Sequence, residues 1–396
     1  PELLRSAPDP PPSGTRIVTL LLELNDAELT LYRGAQVLYA QPGAALLQGG
    51  AVVFGRDARE QARLHPQSAN QHYLARMNTD PLPFPSSLCA NNADLVYQHL
   101  LELSTFASEA VVISVPGVFS NDQLGVLLGI AQEAGLEVRG FVDTAVLLAS
   151  HMDIGPRTYV LDLHLNHACL TELALDDELR CVSAEELTGC GFTSCVDGWV
   201  NLIADRFVHQ TRFDPLHAAN TEQQLYNQVF AWTDSEPEGG EFEVVVTLTD
   251  HERRVSVVKA ALQEKLAQRL SVVHARLPTD ATLLLSPHTA CLPGLTSALS
   301  DLGISMRTIE PDAIMNNFAH HSARITGDGA PRLTTRLASA GKPVRSTTSV
   351  GAATHVLIEG HAYPLEGNRL GLPQQGKIGT KGVHDGLRYE LIVVES

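Results

Sequence analysis

Lysine is scarce in this chain, and its scarcity restricts the chemistry available. Only Lys259, Lys265, Lys342, Lys377 and Lys381 occur in 396 residues, so no ammonium precedes position 259. A phosphate-gripping G-K-[ST] loop and a Schiff-base lysine both need one, and both are excluded over that span. The six cysteines, Cys89, Cys169, Cys181, Cys190, Cys195 and Cys291, form no C-x-x-C pair. The C-x4-C spacing of Cys190 and Cys195 reads as two small buried thiols rather than a ligand or redox pair. No G-x-S-x-G nucleophile elbow is present, and Phe192-Thr193-Ser194-Cys195, following Gly189 and Gly191, reads as a helix start rather than as a nucleophile. His320 and His321 diverge by about 100° if helical, which suits one buried and one exposed ring better than a zinc pair. Trp199 and Trp232 fit helix packing.

Composition narrows the function classes. Lys+Arg 28 against Asp+Glu 45 leaves a formal charge of −17, which repels a phosphate backbone and an anionic membrane surface. Nucleic acid is therefore not expected as a partner. The hydrophobic fraction of 44% suffices for a large core, so wholesale disorder is excluded. Pro1 to Gly14 is a Pro/Ser-rich stretch without an apolar signal core, and no run approaches the length of a membrane span. A cytoplasmic protein without a membrane span is the expectation.

The elements that must position any site follow from periodicity. Ile17 to Leu24 is an almost continuous apolar strand, and Glu28 to Arg33 alternates into a turn at Arg33-Gly34. Asn92 to Ser108 places Leu95, Val96, His99, Leu100 and Leu103 on one helical face. Strand Ala110 to Val115, helix Asp122 to Ala134, strand Val138 to Phe141, helix Thr144 to Met152 and strand Thr158 to Leu163 then alternate, as α/β architecture requires. The second half repeats this order: strands at His167 to Ala174 and Arg180 to Leu187, a helix at Gly191 to His209, a hairpin at Phe242 to Val258, a helix at Ala260 to Leu277, and a strand at Thr282 to Ser286. The expected organisation is a disordered tail over 1–15, a first α/β lobe over 16–160, a second over 161–325, a Gly/Ser/Thr-rich basic linker over 326–350 and a small β appendage over 351–396.

Three collinear segments carry a family resemblance. Val111 to Gln123 (VVISVPGVFSNDQ) with Ala131 to Ser150 (AQEAGLEVRGFVDTAVLLAS), Thr282 to Leu299 (TLLLSPHTACLPGLTSAL), and Ile309 to Ile325 (IEPDAIMNNFAHHSARI) resemble the ATPase domain of DnaK-type heat-shock chaperones. The resemblance implies an actin-like, sugar-kinase-like fold: two α/β lobes clamping Mg-ATP or ADP in a cleft. In that family two Gly-rich hairpins bring backbone N–H groups to the phosphates.

At the matching positions this chain departs from the pattern. Leu22-Glu23-Leu24-Asn25-Asp26-Ala27 stands where the family has I-D-L-G-T-T, so Asn25 and Asp26 replace a glycine and a hydroxyl residue. Asp162-Leu163-His164-Leu165-Asn166-His167 stands for D-L-G-G-G-T, with His164, Leu165 and Asn166 in place of all three glycines. The adenosine loop G-G-S-T-R is matched by Ser286-Pro287-His288-Thr289-Ala290, and Tyr226 to Thr233 offers no basic residue for the base. The catalytic lysine is missing near Leu74 to Arg76, where Arg76 is the cation at hand and differs from an ammonium in size and donor geometry.

Three acids carry over, Glu23, Asp143 and Asp162, and with His164 and His167 they raise the question of a metal; the plainer reading is acids at strand ends and histidines filling vacated space. The expectation is a pseudo-ATPase that works as a protein-interaction or regulatory scaffold with no required cofactor. Its alternatives are a weak Mg-ATP-dependent chaperone and an actin-like assembly protein. The last forty-odd residues are too few for a peptide clamp with a lid, and read either as a remnant of the family's substrate-binding sandwich or as an unrelated partner-binding module.

Overall fold

The computed structural model describes residues 19–234, 239–327 and 329–341, together with strands His355–Ile358, His361–Pro364, Lys381–His384 and Leu387–Ile392. The tail expected over 1–15 lies outside the described residues. The chain divides into two compact units, Pro1–Lys342 and Pro343–Ser396. Ten α-helices occur among the described residues, and none is long and apolar enough to cross a membrane.

The first unit is mixed α/β and is built around two six-stranded sheets. In the first sheet the order is Leu333–Thr334, Val138–Asp143, Val111–Val115, Leu20–Glu23, Leu29–Arg33, Gln36–Gln41. In the second it is Ser305–Thr308, Thr282–Leu285, Thr158–Leu163, His167–Leu175, Leu179–Thr188, Arg336–Leu337. The two share one plan. In each, the strand that comes first along the chain (Leu20–Glu23, Thr158–Leu163) pairs antiparallel with the next, which pairs antiparallel with the third. Its other edge takes the fourth strand in parallel, and the fourth takes the fifth in parallel. The spatial order of the five is thus third, second, first, fourth, fifth in both sheets.

Sequence chemistry explains the central strands. Leu20, Leu21 and Leu22 are all buried, Leu20 and Leu22 in one core and Leu21 in another, so an unbroken apolar run is what a strand covered on both faces needs. One core packs the first sheet against helices Asn92–Ser104 and Asn121–Glu133. Another packs the second sheet against helices Phe192–Thr211, Ala219–Asp234 and Lys259–His274, with Trp199 fully buried in it. A third lies between the sheets and takes Leu21 and Val112 from one, Val160 and Leu284 from the other, around helices Thr144–Ala149 and Ala313–Ile325. Helix starts obey local rules: Ser120 with Gln123, and Asn91 with Asp94, form reciprocal capping boxes.

Two expected boundaries are corrected. The division at residue 160 would cut strand Thr158–Leu163, which lies whole in the second sheet. Part of the stretch expected as linker is built in: Leu333–Thr334 pairs with Phe141–Val142 at the edge of the first sheet, and Arg336–Leu337 pairs with Leu179–Arg180 at the edge of the second. Two-residue strands have no readable period, so composition alone suggested a loose segment. In the second unit, four strands form an antiparallel sheet in the order His361–Pro364, His355–Ile358, Leu387–Ile392, Lys381–His384.

Candidate functional site

The site grows from the loop that follows strand Leu20–Glu23. Asn25 folds that loop on itself: its Oδ1 accepts from the Ala27 amide at 2.8 Å, an Asx turn. Its Nδ2 is then free to reach the other sheet, where it donates to both Asp162 carboxylate oxygens at 3.3 Å and to the Leu163 carbonyl at 3.1 Å. Asp26 continues the seam, its Oδ1 accepting from the Leu165 amide at 2.6 Å. Gly43 closes the back of the loop by donating to the Asp26 carbonyl at 2.8 Å, and a Cβ there would stand 2.9 Å from that same oxygen.

The turn between strands Thr158–Leu163 and His167–Leu175 supplies the opposite wall. His164 Nδ1 lies 3.3 Å from Asp26 Oδ1, and Nε2 lies 3.6 Å from Asp162 Oδ2, too far for a hydrogen bond but close for charge. The His164 and His167 rings stack at 4.6 Å and 8°. Burial disfavours a proton on either ring. At His164 the Asp26 and Asp162 carboxylates outweigh burial and hold the pKa up, whereas His167, next to a charged His164, is pushed down. Asp26 shows the converse balance: burial opposes its charge, and His164, His167 and the Leu165 amide nevertheless hold it below the usual carboxylate range. Its Oδ2 is buried without a hydrogen-bond partner, as is His164 Nε2. Leu165 is buried at 1% exposure, so an apolar side chain occupies the centre of this turn.

Ser286 and Thr289 seal the third side. Ser286 caps the short helix Pro287–Ala290 by accepting from the Thr289 amide, and donates to Asp162 Oδ1 at 2.5 Å. Thr289 Oγ1 donates to the Leu161 carbonyl at 3.0 Å and accepts from the Leu163 amide at 2.8 Å. Beside them, Glu23 accepts from Tyr32 Oη at 3.1 Å and faces His288 Nε2 at 3.3 Å. Burial would lower His288, but Glu23, with Asp162 behind it, raises it to about 9, so the ring is cationic at neutral pH.

The candidate residues are therefore brought together with two exceptions. Asn166 turns away and donates to the Gln71 carbonyl at 2.5 Å. Asp143 accepts from the Val146 amide at 3.0 Å as the cap of helix Thr144–Ala149, and among the described residues no hydrogen bond or ion pair joins it to Glu23 or Asp162. Burial raises its pKa to about 6. Among the described residues no group of three or more His, Cys, Asp and Glu side chains is arranged to hold a metal. Arg76 is exposed and lines a separate cavity with His72 and Asn78.

Sequence reasoning missed the cavity beside this seam. It measures about 310 Å³ and is lined by Arg56, Arg59, Phe230 and His288 among others. Arg59 lies 4.6 Å above the Phe230 ring, and Arg56 pairs with Asp234 at 2.8 Å. The basic residues thus come from helix Gly55–Arg59 and not from helix Ala219–Asp234, where the resemblance implies them. Ser286-Pro287, a cap followed by proline, was a legible helix-start signal for the Ser286–Asp162 contact. Comparison with protein-family models gives no match, and comparison with curated proteins gives none.

Proposed function

We propose that the first unit is an actin-like, two-lobed domain of the DnaK chaperone ATPase type that acts as a pseudo-ATPase, a protein-interaction or regulatory scaffold that does not depend on nucleotide. The shared plan of the two sheets supports the fold assignment, because the resemblance calls for two related α/β lobes. One observation carries the functional reading: the loops that match the two phosphate hairpins bond to each other, Asn25 to Asp162 and Leu163, and Asp26 to Leu165.

Mg-ATP or ADP fits this arrangement poorly. A phosphate there would meet the Asp26 carboxylate, whose Oδ2 is buried and unpartnered, and would have to displace the buried His164 and Leu165 side chains. Backbone amides that a phosphate would use are already taken, the Leu165 amide by Asp26 and the Leu163 amide by Thr289. A calorimetric titration of the full chain with Mg-ATP tests the reading: no saturable heat that responds to Asp162→Asn is expected, and micromolar binding weakened by that substitution in the seam would overturn it. Turnover abolished by Asp162→Asn would favour the weak ATPase instead, and concentration-dependent sedimentation into polymers would favour the assembly protein.

A further inference from the structure

We infer that a second site, away from the seam, binds a small molecule bearing several phosphate groups. It is a cavity of about 490 Å³ whose lining includes Arg139, Arg324, Arg332 and Arg336 with Thr334 and Thr335. That volume is within the range of small-molecule sites, roughly 300 to 1,000 Å³. No Asp or Glu lines it among the described residues, in a chain whose formal charge is −17.

The state of the four guanidinium groups identifies the ligand class. Arg139 pairs with Glu137, and Arg324 makes a two-pronged contact with Glu178. The Arg332 and Arg336 side chains make no hydrogen bond or ion pair among the described residues, so these two cations are left uncompensated beside two paired ones. A guanidinium fork matches phosphate oxygens in pairs, and threonine hydroxyls add neutral donors. Two guanidinium forks without a partner among the described residues, on one wall of the same cavity, call for more than one phosphate.

The backbone gives the cavity a rigid frame. Its strap, residues 332–337, runs from the edge of the first sheet to the edge of the second: the Arg332 carbonyl accepts from the Phe141 amide at 2.9 Å, and the Thr335 carbonyl accepts from the Cys181 amide at 3.3 Å. Gly140 lets helix Ala313–Ile325 end against the strand beside it, since a Cβ there would stand 2.6 Å from the Ile325 carbonyl oxygen. Arg332 and Arg336 therefore sit on the segment that ties the sheets together, and a ligand held by both would brace that tie.

The test is calorimetric titration of the full chain with inorganic tripolyphosphate at low and at physiological ionic strength. One saturable site is expected, weakened at least about tenfold by the double substitution Arg332→Gln with Arg336→Gln. Arg139→Gln, which leaves the strap untouched, should weaken it by a smaller factor. Absence of saturable binding, or equal affinity in the double variant, would overturn the proposal. Displacement of tripolyphosphate by inositol hexakisphosphate supports a small polyphosphate ligand. Displacement by a multiply phosphorylated peptide but not by inositol hexakisphosphate would overturn it in favour of a phosphoprotein.

Discussion

Asn25 donates through one side-chain nitrogen to both carboxylate oxygens of Asp162, and this contact joins the loop after the first strand of one sheet to the first strand of the other. The pair is buried, at 1% and 6% exposure, so the carboxylate depends on its donors for solvation. Removing the donor with Asn25→Ala should cost about 1 to 3 kcal/mol, and replacing it by a second carboxylate with Asn25→Asp should cost more, about 3 to 5 kcal/mol. Urea unfolding followed by fluorescence of the buried Trp199 and Trp232 measures both; a cost near zero for Asn25→Ala would show that the carboxylate does not rely on Asn25.

His288 makes the seam sensitive to alkali. Its pKa is raised from 6.5 to about 9, so the stability it contributes is fully present below pH 6.5 and is lost as pH rises through about 9. The contribution is on the order of 3 kcal/mol, and His288→Gln should remove that part of the pH dependence while leaving the variant and the parent alike above pH 10. Thermal midpoints across this range decide it.

Asp143 has the same sign of pH dependence at lower pH, although there burial disfavours the charge instead of a partner favouring it. Burial raises its pKa from 3.8 to about 6, so the folded state holds its proton more tightly and stability falls as pH rises from about 4 to about 6. Asp143→Asn keeps a good helix cap and abolishes the charge. At neutral pH it should gain on the order of 3 kcal/mol, with the gain fading below about pH 4. A neutral-pH loss on substitution would indicate that the charge is used.

Two glycines separate space from propensity. A Cβ on Gly191 would stand 2.4 Å from the His167 amide nitrogen and 2.5 Å from the Asn166 carbonyl carbon, so Gly191→Ala should destabilise by at least about 3 kcal/mol and disturb the histidine turn. Gly125 lies inside helix Asn121–Glu133 with nothing within 4 Å of such a Cβ, and Gly125→Ala should stabilise by about 1 kcal/mol. Chemical denaturation of both variants side by side checks the contrast.

What the sequence determined by itself is local. Apolar runs such as VVISV at Val111–Val115 and TYVLDL at Thr158–Leu163, rich in β-branched residues, read as buried strands, and each lies in the centre of a sheet. The missing glycines and lysines were equally legible, because they concern which atoms exist. Residue types could not say what fills the space they leave. Asn25 and Asp26 looked like losses in the sequence, whereas in the fold they are the groups that bond the two sheets, since their partners Asp162 and Leu165 come from a distant part of the chain. Asp143 looked equivalent to Glu23 and Asp162 but is spent on a helix cap. The Arg59–Phe230 stack and the arginine-lined cavity also depend on pairings between separated segments, which a periodicity of two or 3.6 residues cannot encode. Such pairings are fixed only when tertiary packing decides which polar groups lose water together.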